Sequence, residues 1–321
     1  MSTIITYSPA YTLVPTYECF NRCSYCNFRV EPGTDLWLSL ESAQTQLERL
    51  KASGIIEILI LSGEVHPHSQ RRADWLARIE SLCQLALDRG FLPHTNVGPL
   101  SYAEMARLKQ VNVSMGLMLE QLTPDLLNTV HRHAPSKVPE LRLQQLEWAG
   151  KLQIPFTTGL LLGIGETAGD WVESLQAIAQ IQRRWYHIQE VILQPYSPGQ
   201  QEQLAAPGFP LETLPEVVAI ARAILPIDVT IQIPPNLIAQ PDLLLACLEA
   251  GARDLGGLVP HDHVNPDYKH ASLTVLSELL AQKGWDLQPR LPVYPQVDGL
   301  LPAHLQPYLQ PWRSQAPQLK L

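Results

Sequence analysis

The sequence lacks the features of two common classes of binding protein. Its 321 residues carry 23 basic and 31 acidic side chains, a formal charge of −8, so a general attraction to the phosphate backbone of nucleic acids is missing. No apolar run approaches the roughly 20 residues that span a bilayer, and the opening MSTIITYSPAY has no basic segment followed by an apolar one. We therefore expect a cytoplasmic protein that binds neither nucleic acid nor a membrane.

Cysteine is scarce, and its distribution does not match a disulfide framework. The chain has five cysteines, an odd number, and three of them are crowded into one short stretch. Small secreted domains instead carry an even number of cysteines in a short chain. The rest of the composition is globular, with 45% hydrophobic and 17% charged residues. These cysteines favour metal or redox chemistry.

Short apolar segments alternate with amphipathic helical segments along most of the chain. That alternation predicts a parallel sheet covered by helices. We place eight strands at residues 11–15, 56–61, 93–97, 111–117, 156–162, 190–194, 229–233 and 254–259. Eight strand and helix units in about 260 residues match an α/β fold of the (β/α)8 barrel type. A doubly wound open sheet is the alternative.

Prolines collect near the C-terminal end of the chain. The 28 prolines are scattered up to Asp286 and then cluster in LQPRLPVYPQVDGLLPAHLQPYLQP. We expect one barrel domain over residues 1–285 and an extended Pro-rich tail over residues 286–321 that wraps the barrel. The loops that follow the strands of such a barrel form one mouth, where catalytic residues gather.

The three crowded cysteines, Cys19, Cys23 and Cys26, directly follow the first predicted strand. They therefore lie in the first loop of the mouth, with the spacing Cys-x3-Cys-x2-Cys. Clustered thiolates suit soft metals and iron–sulfur clusters, whereas a structural zinc site usually takes a fourth Cys or His. Cys83 and Cys247 fall on apolar helical segments and are predicted core residues. Three thiolates on a 4Fe–4S cube leave one iron open for a substrate or cosubstrate.

With Tyr25 as its aromatic residue, the Cys-x3-Cys-x-aromatic-Cys arrangement resembles the radical S-adenosylmethionine (SAM) enzymes. The resemblance implies one 4Fe–4S cluster held by the three cysteines, whose open iron binds the amino and carboxylate groups of SAM. It also implies that an electron from the reduced cluster, supplied by a low-potential donor, cleaves SAM to a 5′-deoxyadenosyl radical. A zinc site or a simple electron-transfer cluster remains the alternative for this spacing alone.

Two further segments match positions that contact SAM in this family. Ser62, Gly63 and Glu64 end the second predicted strand, where the family has a Gly-Gly-Glu-like segment that holds the SAM amino group; here Ser replaces the first Gly. The resemblance implies that Glu120, after the fourth strand, and Arg142, in the next helix, also contact SAM. A guanidinium suits a carboxylate in bidentate fashion. Taken alone, the first segment could be a simple turn and Arg142 a surface charge.

The Gly-rich segment FTTGLLLGIGETAGDW does not fit a dinucleotide site, because its G-x-G-x3-G spacing is one residue too long. The resemblance implies that this strand packs beside the adenine of SAM, with Gln194 and Tyr196 near the adenine or the substrate. Two other predicted mouth loops are rich in His, Asn and Asp. Their candidates for substrate hydrogen bonds are His131, His133, Asp262, His263 and Asn265.

Longer strings narrow the resemblance. YSPAYTLVPTYECFNRCSYCNFR, IPFTTGLLLGIGET, and PPNL through DLGGLVPHDHVNP are similar to the CofG-type subunit of 7,8-didemethyl-8-hydroxy-5-deazariboflavin (FO) synthase, over roughly residues 7–265. One segment departs from that family: DYKHAS follows Pro266, where a Pro- and Trp-containing stretch is expected. The departure concerns the substrate contacts of this loop and leaves the cluster and SAM positions unchanged.

The resemblance implies an ammonia-releasing lyase. Its substrate would be the adduct of a tyrosine-derived 4-hydroxybenzyl group with a ribitylamino-uracil, supplied by a sister CofH-type subunit. Loss of a benzylic hydrogen, closure of the middle ring, departure of ammonia and oxidation would give FO, the deazaflavin precursor of coenzyme F420. Polar loop residues would hold the ribityl hydroxyls, and aromatic residues would flank the phenol. A menaquinone-pathway cyclase, a tyrosine lyase and a non-catalytic metal-binding module are the alternatives.

Replacing Cys23 with alanine tests the cluster assignment. We expect Cys23→Ala to abolish SAM cleavage, because a cluster that lacks one of three thiolate ligands is not retained. The measurement is 5′-deoxyadenosine released under reducing, anaerobic conditions. Cys247→Ala, which changes a predicted core cysteine, serves as the control and should keep the activity. SAM cleavage by Cys23→Ala at the rate of the unmodified protein would contradict the assignment.

Overall fold

Eight parallel strands close into a barrel. The structure is a computed structural model and describes residues 3–315. Its strands are β1 (Thr3–Leu13), β2 (Glu57–Leu61), β3 (Leu92–Asn96), β4 (Ser114–Gly116), β5 (Phe156–Leu162), β6 (Ile188–Pro195), β7 (Thr230–Gln232), β8 (Asp254–Leu258) and β9 (Trp285–Pro289). Strands β1 to β8 pair in sequence order, and β1 pairs with both β2 and β8. This closure confirms the predicted barrel and excludes the open sheet.

A helix follows each barrel strand and covers the outside of the sheet. The helices are α1 (Leu40–Leu50), α2 (Arg72–Asp88), α3 (Tyr102–Leu108), α4 (Pro139–Lys151), α5 (Ala168–Trp185), α6 (Leu214–Ile224), α7 (Pro241–Glu249), α8 (Leu273–Ala281) and α9 (Gln306–Gln315). Side chains such as Trp75 on α2 and Ile178 on α5 are fully buried in one core with the strands. Within residues 3–315, none of the helices has both the length and the hydropathy to cross a bilayer.

Polar caps fix where several mouth loops end. The side chains of Ser39, Ser101, Thr167 and Ser272 each accept a hydrogen bond from a backbone N–H in the first turn of α1, α3, α5 and α8. A cap satisfies one of the N–H groups that a helix start leaves without a partner. The chain therefore changes from loop to helix at defined residues, which limits the length of each mouth loop.

The first strand is longer than the sequence pattern predicts. It begins at Thr3 and not at residue 11. The early part contains Thr6 and Ser8, whose hydroxyls donate to the buried carboxylates of Asp254 and Glu57. Because these two buried positions carry polar residues, this part of the strand lacks the apolar alternation that predicts a strand.

The C-terminal segment is not the extended tail that the prolines predict. It begins with β9, which pairs in parallel with Thr3–Tyr7 of β1, so the expected domain boundary at residue 285 falls within a strand of the sheet. A 3-10 helix (Pro295–Leu300) and α9 follow. Leu291, Leu305 and Leu309 are buried, and this apolar burial explains why the segment folds onto the barrel. The predicted tail also includes residues 316–321, which lie outside the described residues.

A buried ion-pair cluster closes the end of the barrel opposite the mouth. Arg290, just after β9, donates to Asp254 through Nε (2.6 Å) and Nη2 (2.9 Å), and to Glu190 through Nη2 (2.7 Å). The Tyr294 hydroxyl donates to Glu190 at 2.9 Å. Asp254 starts β8 and Glu190 lies near the start of β6, so the cluster ties the C-terminal segment to the N-terminal ends of the strands. We call this end the floor.

Removing the floor cation should destabilise the fold. In Arg290→Met, the carboxyls of Asp254 and Glu190 stay buried without a cation, and we expect the free energy of unfolding to fall by about 3–5 kcal/mol. Urea denaturation at neutral pH measures this change. Lys283→Met removes one partner of the exposed pair with Glu249 and should change stability little. Equal stability of both variants would contradict the structural role of Arg290.

Candidate functional site

The three cysteines lie in the loop between β1 and α1, at the barrel mouth, as predicted. We call this segment the cysteine loop. Backbone hydrogen bonds fix it to its neighbours: the N–H of Phe20 donates to the carbonyl of Glu64 (3.0 Å), and the N–H of Arg22 donates to the carbonyl of His133 (2.8 Å). These hydrogen bonds to the loops after β2 and β4 therefore hold the cysteine loop in place, although they do not form regular secondary structure.

Glu18, directly before the first cysteine, anchors the cysteine loop. Its buried carboxylate accepts hydrogen bonds from the N–H groups of Gly33 (2.7 Å) and Asp35 (3.1 Å), from the Trp37 indole (3.2 Å) and from the Arg71 guanidinium (2.8 Å). Burial alone would raise the pKa of Glu18, but these donors hold it below its usual value. Sequence reasoning missed this residue, since a glutamate in a loop is usually exposed.

Gly63, at the end of β2, lets two backbone segments come very close. A Cβ atom at this position would lie 2.2 Å from the carbonyl oxygen of Glu18. The Gly63 N–H donates to the carbonyl of Thr16 (2.8 Å). A side chain at residue 63 would therefore push the cysteine loop away from β2.

A cavity of about 260 Å³ opens beside the cysteine loop, inside the barrel mouth. We call it the mouth chamber. Most of the residues predicted to bind SAM line it, and they come from five separate segments of the chain. The predicted residues in its wall are Tyr25, Cys26, Ser62, Glu64, Glu120, Arg142, Gln194, Tyr196 and Asn265. Residues far apart in sequence thus meet around one space.

Two buried cations face two carboxylates in the wall of the mouth chamber. Lys137 pairs with Glu120, and Arg142 Nη2 lies 3.8 Å from Glu64 Oε1. Burial opposes the charge on Glu120, but Lys137 and Arg142 hold its pKa below the usual value. Sequence reasoning missed Lys137, which ends the His-rich segment that contains the candidate residues His131 and His133. The signal that could have found it is its position in a mouth loop.

Arg142 is also incompletely satisfied. Its side chain is 2% exposed, it donates through Nη1 to the carbonyl of Met118, and its Nε has no hydrogen-bond partner within the described residues. Buried guanidinium groups normally use their donors. A donor left over beside a cavity fits a ligand carboxylate, as expected for the methionine end of SAM.

Glu120 adopts an unusual backbone conformation. Its φ of 67° lies in the left-handed region, which residues other than glycine rarely use. The surrounding sheet holds it there: its N–H donates to the carbonyl of Gly159 (3.2 Å), and its own carbonyl accepts from Leu161 (3.3 Å). Such conformations persist where neighbouring contacts fix them, and they are concentrated at functional sites.

The histidines of the loop after β4 lie outside the cavity walls. His131 is buried behind Tyr25, whose hydroxyl is 3.0 Å from His131 Nε2. The His133 side chain is exposed, and it is the backbone carbonyl of this residue that contacts the cysteine loop, by accepting from the N–H of Arg22. The structure thus does not support direct substrate contacts for either residue, and it gives His131 a place supporting Tyr25.

A second cavity of about 190 Å³ continues from the mouth towards the floor. We call it the deep chamber. It shares wall residues with the mouth chamber, among them Asn96, Gln194 and Asn265, so the two chambers adjoin. The predicted substrate residues Asp262 and His263 also line it. His263 is fixed by Tyr17, whose hydroxyl lies 2.7 Å from Nδ1.

The chemistry of the cysteines suits an iron–sulfur cluster that binds after the chain has folded. Burial raises the pKa of Cys19 to about 11 and that of Cys23 to about 12, so both are thiols until a metal displaces the proton. Asn21 Nδ2 lies 3.7 Å from Cys19 Sγ. No three His, Cys, Asp or Glu side chains within residues 3–315 are gathered around a single-ion position. An iron–sulfur cube distributes its thiolates over different irons, which suits three cysteines spread along a loop.

Comparison with known proteins decides the family. The Radical SAM superfamily profile matches residues 13–178. A 7,8-didemethyl-8-hydroxy-5-deazariboflavin synthase of Trichormus variabilis is 66% identical over 311 residues, covering 97% of this chain and 92% of that protein. The chain belongs to the FO synthase family of radical SAM enzymes. The FO synthase of Trichodesmium erythraeum is 62% identical, with 98% of both chains covered.

Solved structures support the fold of this FO synthase family member. The FeFe-hydrogenase maturase HydG from Carboxydothermus hydrogenoformans superposes with a TM-score of 0.75, at 21% identity, over 99% of this chain and 76% of that one. Methylornithine synthase PylB gives a TM-score of 0.67 at 15% identity, over 88% and 83% of the two chains. Membership of the radical SAM superfamily brings with it a 4Fe–4S cluster and SAM.

The close contact at Gly63 can be tested through cluster content. We expect Gly63→Ala to hold less than roughly half of the wild-type iron and sulfide after anaerobic reconstitution, because the added methyl displaces the carbonyl of Glu18 and with it the cysteine loop. Gly299→Ala is the matched control, since a Cβ there meets nothing within 4 Å. Full cluster content in Gly63→Ala would show that the contact does not position the cysteines.

Proposed function

We propose that this chain completes FO synthesis as an ammonia-releasing radical SAM lyase. The proposed substrate is the adduct of a 4-hydroxybenzyl group with a ribitylamino-uracil. The observation that carries the proposal is a pair of adjoining chambers: the cysteine loop lies beside the mouth chamber, and the polar deep chamber shares wall residues with it. The name carried by relatives that match nearly the whole chain supports FO as the product.

We assign one 4Fe–4S cluster to Cys19, Cys23 and Cys26, with SAM in the mouth chamber. When bound, the cluster supplies the electron that converts SAM into methionine and a 5′-deoxyadenosyl radical. Arg142 would bind the methionine carboxylate, and Glu64 would accept from the amino group. Gly63 lets the backbone of β2 come close to the cysteine loop, and Ser62 lines the chamber wall beside it.

The remaining wall residues exclude water and hold the rest of SAM. Tyr25, Gln194 and Tyr196 also line the mouth chamber, where the adenosine would lie. The Tyr196 hydroxyl donates to the carbonyl of Leu204 (3.0 Å), which keeps its ring in the wall. A primary carbon radical attacks any weak C–H bond that it meets, so the reaction needs a closed site.

The substrate would then lose a benzylic hydrogen atom to the adenosyl radical, close its middle ring and release ammonia. Loss of one further electron and a proton would give FO, and return of that electron to the cluster would make one SAM the two-electron oxidant of the overall reaction. A sister CofH-type subunit would supply the adduct, and a low-potential protein or chemical reductant would supply the electron. Asp262 and His263 line the deep chamber, Asn265 lines both chambers, and all three would contact the substrate. Other radical SAM cyclases or lyases act on different substrates, so product analysis separates them from this proposal.

The test is an anaerobic assay with reconstituted enzyme, SAM, a reductant and the adduct. We expect a fluorescent deazaflavin, free ammonia and 5′-deoxyadenosine. All three should form much faster with the adduct than without it. Omitting SAM is the control and should stop all three. Accumulation of 5′-deoxyadenosine without FO would show that the chain is a radical SAM enzyme for another substrate.

A further inference from the structure

The two chambers differ in chemistry. Aromatic rings line the mouth chamber, namely those of Tyr25, Phe28 and Tyr196. Within the described residues, no Phe, Tyr or Trp lines the deep chamber. Its wall carries hydrogen-bonding side chains from the strands and the floor: Thr12, Glu57, His94, Asn96, Thr157, Glu190, Gln194, Gln232, Asn236 and Arg290. An elongated ligand with one aromatic and one polyhydroxylated end would therefore enter with the hydroxyls towards the floor.

His94, in the middle of β3, is held as one defined tautomer. Its Nδ1 lies 2.7 Å from the Ser114 hydroxyl, and Ser114 donates its own proton to the carbonyl of Pro292 (2.6 Å). Because that serine proton is already used, Nδ1 must be the protonated nitrogen that donates to Ser114. Nε2 is then an acceptor, and within the described residues it has no hydrogen-bond partner.

The surroundings keep His94 neutral. Burial, together with the nearby Arg290, lowers the pKa of His94 to about 3. A neutral imidazole with a fixed tautomer accepts a hydrogen bond but is a weak base. Gly116 on the adjacent strand makes room for the ring, since a Cβ atom there would lie 3.0 Å from Nε2. The site thus presents one oriented acceptor.

Glu57, on the strand next to that of His94, supplies a second hydrogen-bonding group to the same chamber. It is buried at the start of β2, and its carboxyl accepts a hydrogen bond from Ser8. The floor cation Arg290 is already hydrogen-bonded to Asp254 and Glu190. Burial raises the pKa of Glu57. With Thr12, Asn96, Thr157 and Gln232 in the same wall, the chamber offers many hydrogen-bonding groups, which suits a chain of hydroxyl groups.

We propose that the deep chamber binds the ribityl chain of the substrate and that His94 is a specificity-determining residue, whose Nε2 accepts a hydrogen bond from a ribityl hydroxyl. This inference rests on the proposed function, since it takes the ribitylamino-uracil adduct as the ligand. It orients the substrate with its phenol end towards the mouth chamber and the SAM proposed to bind there. The C-terminal segment contributes through Pro292, which fixes Ser114 and so the tautomer of His94.

Binding without turnover tests this inference. The probes are a ribitylamino-uracil and its methylamino counterpart, which lacks the hydroxyls, each titrated calorimetrically into cluster-loaded enzyme with SAM present. We expect the wild type to prefer the ribityl probe and His94→Leu to bind it about tenfold to a hundredfold more weakly, because a hydroxyl loses its acceptor in a buried site. His94→Gln, which keeps an acceptor near the Nε2 position, should recover part of the affinity.

His187→Leu is the matched control. His187 is also a fully buried histidine, but it packs against Phe156 and lines neither chamber, so its replacement should leave the preference for the ribityl probe unchanged. Cluster content and circular dichroism check that each variant folds. A wild type without preference for the ribityl probe, or a His94→Leu variant that keeps the full preference, would overturn the inference. The proposed function is judged separately, by FO formation in the wild type.

Discussion

The position of the cysteine loop depends on one buried carboxylate. Glu18 collects four donors from the loop and from the start of α2, and its backbone carbonyl occupies the space that a side chain at residue 63 would need. A loop without regular secondary structure lacks the repeated backbone hydrogen bonds that hold a helix or a sheet. Here a buried carboxylate with four hydrogen-bond donors holds the loop in shape. The cysteines then follow at fixed places beside β2, and the mouth chamber opens next to them.

The barrel holds two adjoining chambers beside this loop. Its mouth end contains the charged pairs and aromatic residues, and its far end is closed by Arg290 and the residues after β9. The C-terminal segment therefore does more than cover the barrel, since it provides part of the floor and the carbonyl that orients Ser114. The same C-terminal segment thus contributes to the floor ion pairs and to the proposed ribityl site.

Sequence pattern predicts the barrel and the cysteine site well, because strand and helix alternation and the cysteine spacing are local signals. It fails where a role depends on distant partners. Glu18, Lys137 and His94 are ordinary residues in the sequence, and their importance comes from burial beside groups far away in the chain. The prolines of the C-terminal segment predict an extended tail, but buried leucines fold it into a strand and helices. Residue type and position in a mouth loop predict His131 and His133 as substrate residues, but neither lines one of the two chambers.

The central claim is that this FO synthase family member starts its reaction at the benzylic carbon of the adduct. The most direct measurement is deuterium transfer from an adduct labelled at that carbon, followed by mass spectrometry of the 5′-deoxyadenosine formed along with FO. The account predicts that deuterium enters the 5′-deoxyadenosine in step with FO formation. Formation of FO with unlabelled 5′-deoxyadenosine, and with the label kept at the benzylic carbon or lost to water, would contradict it.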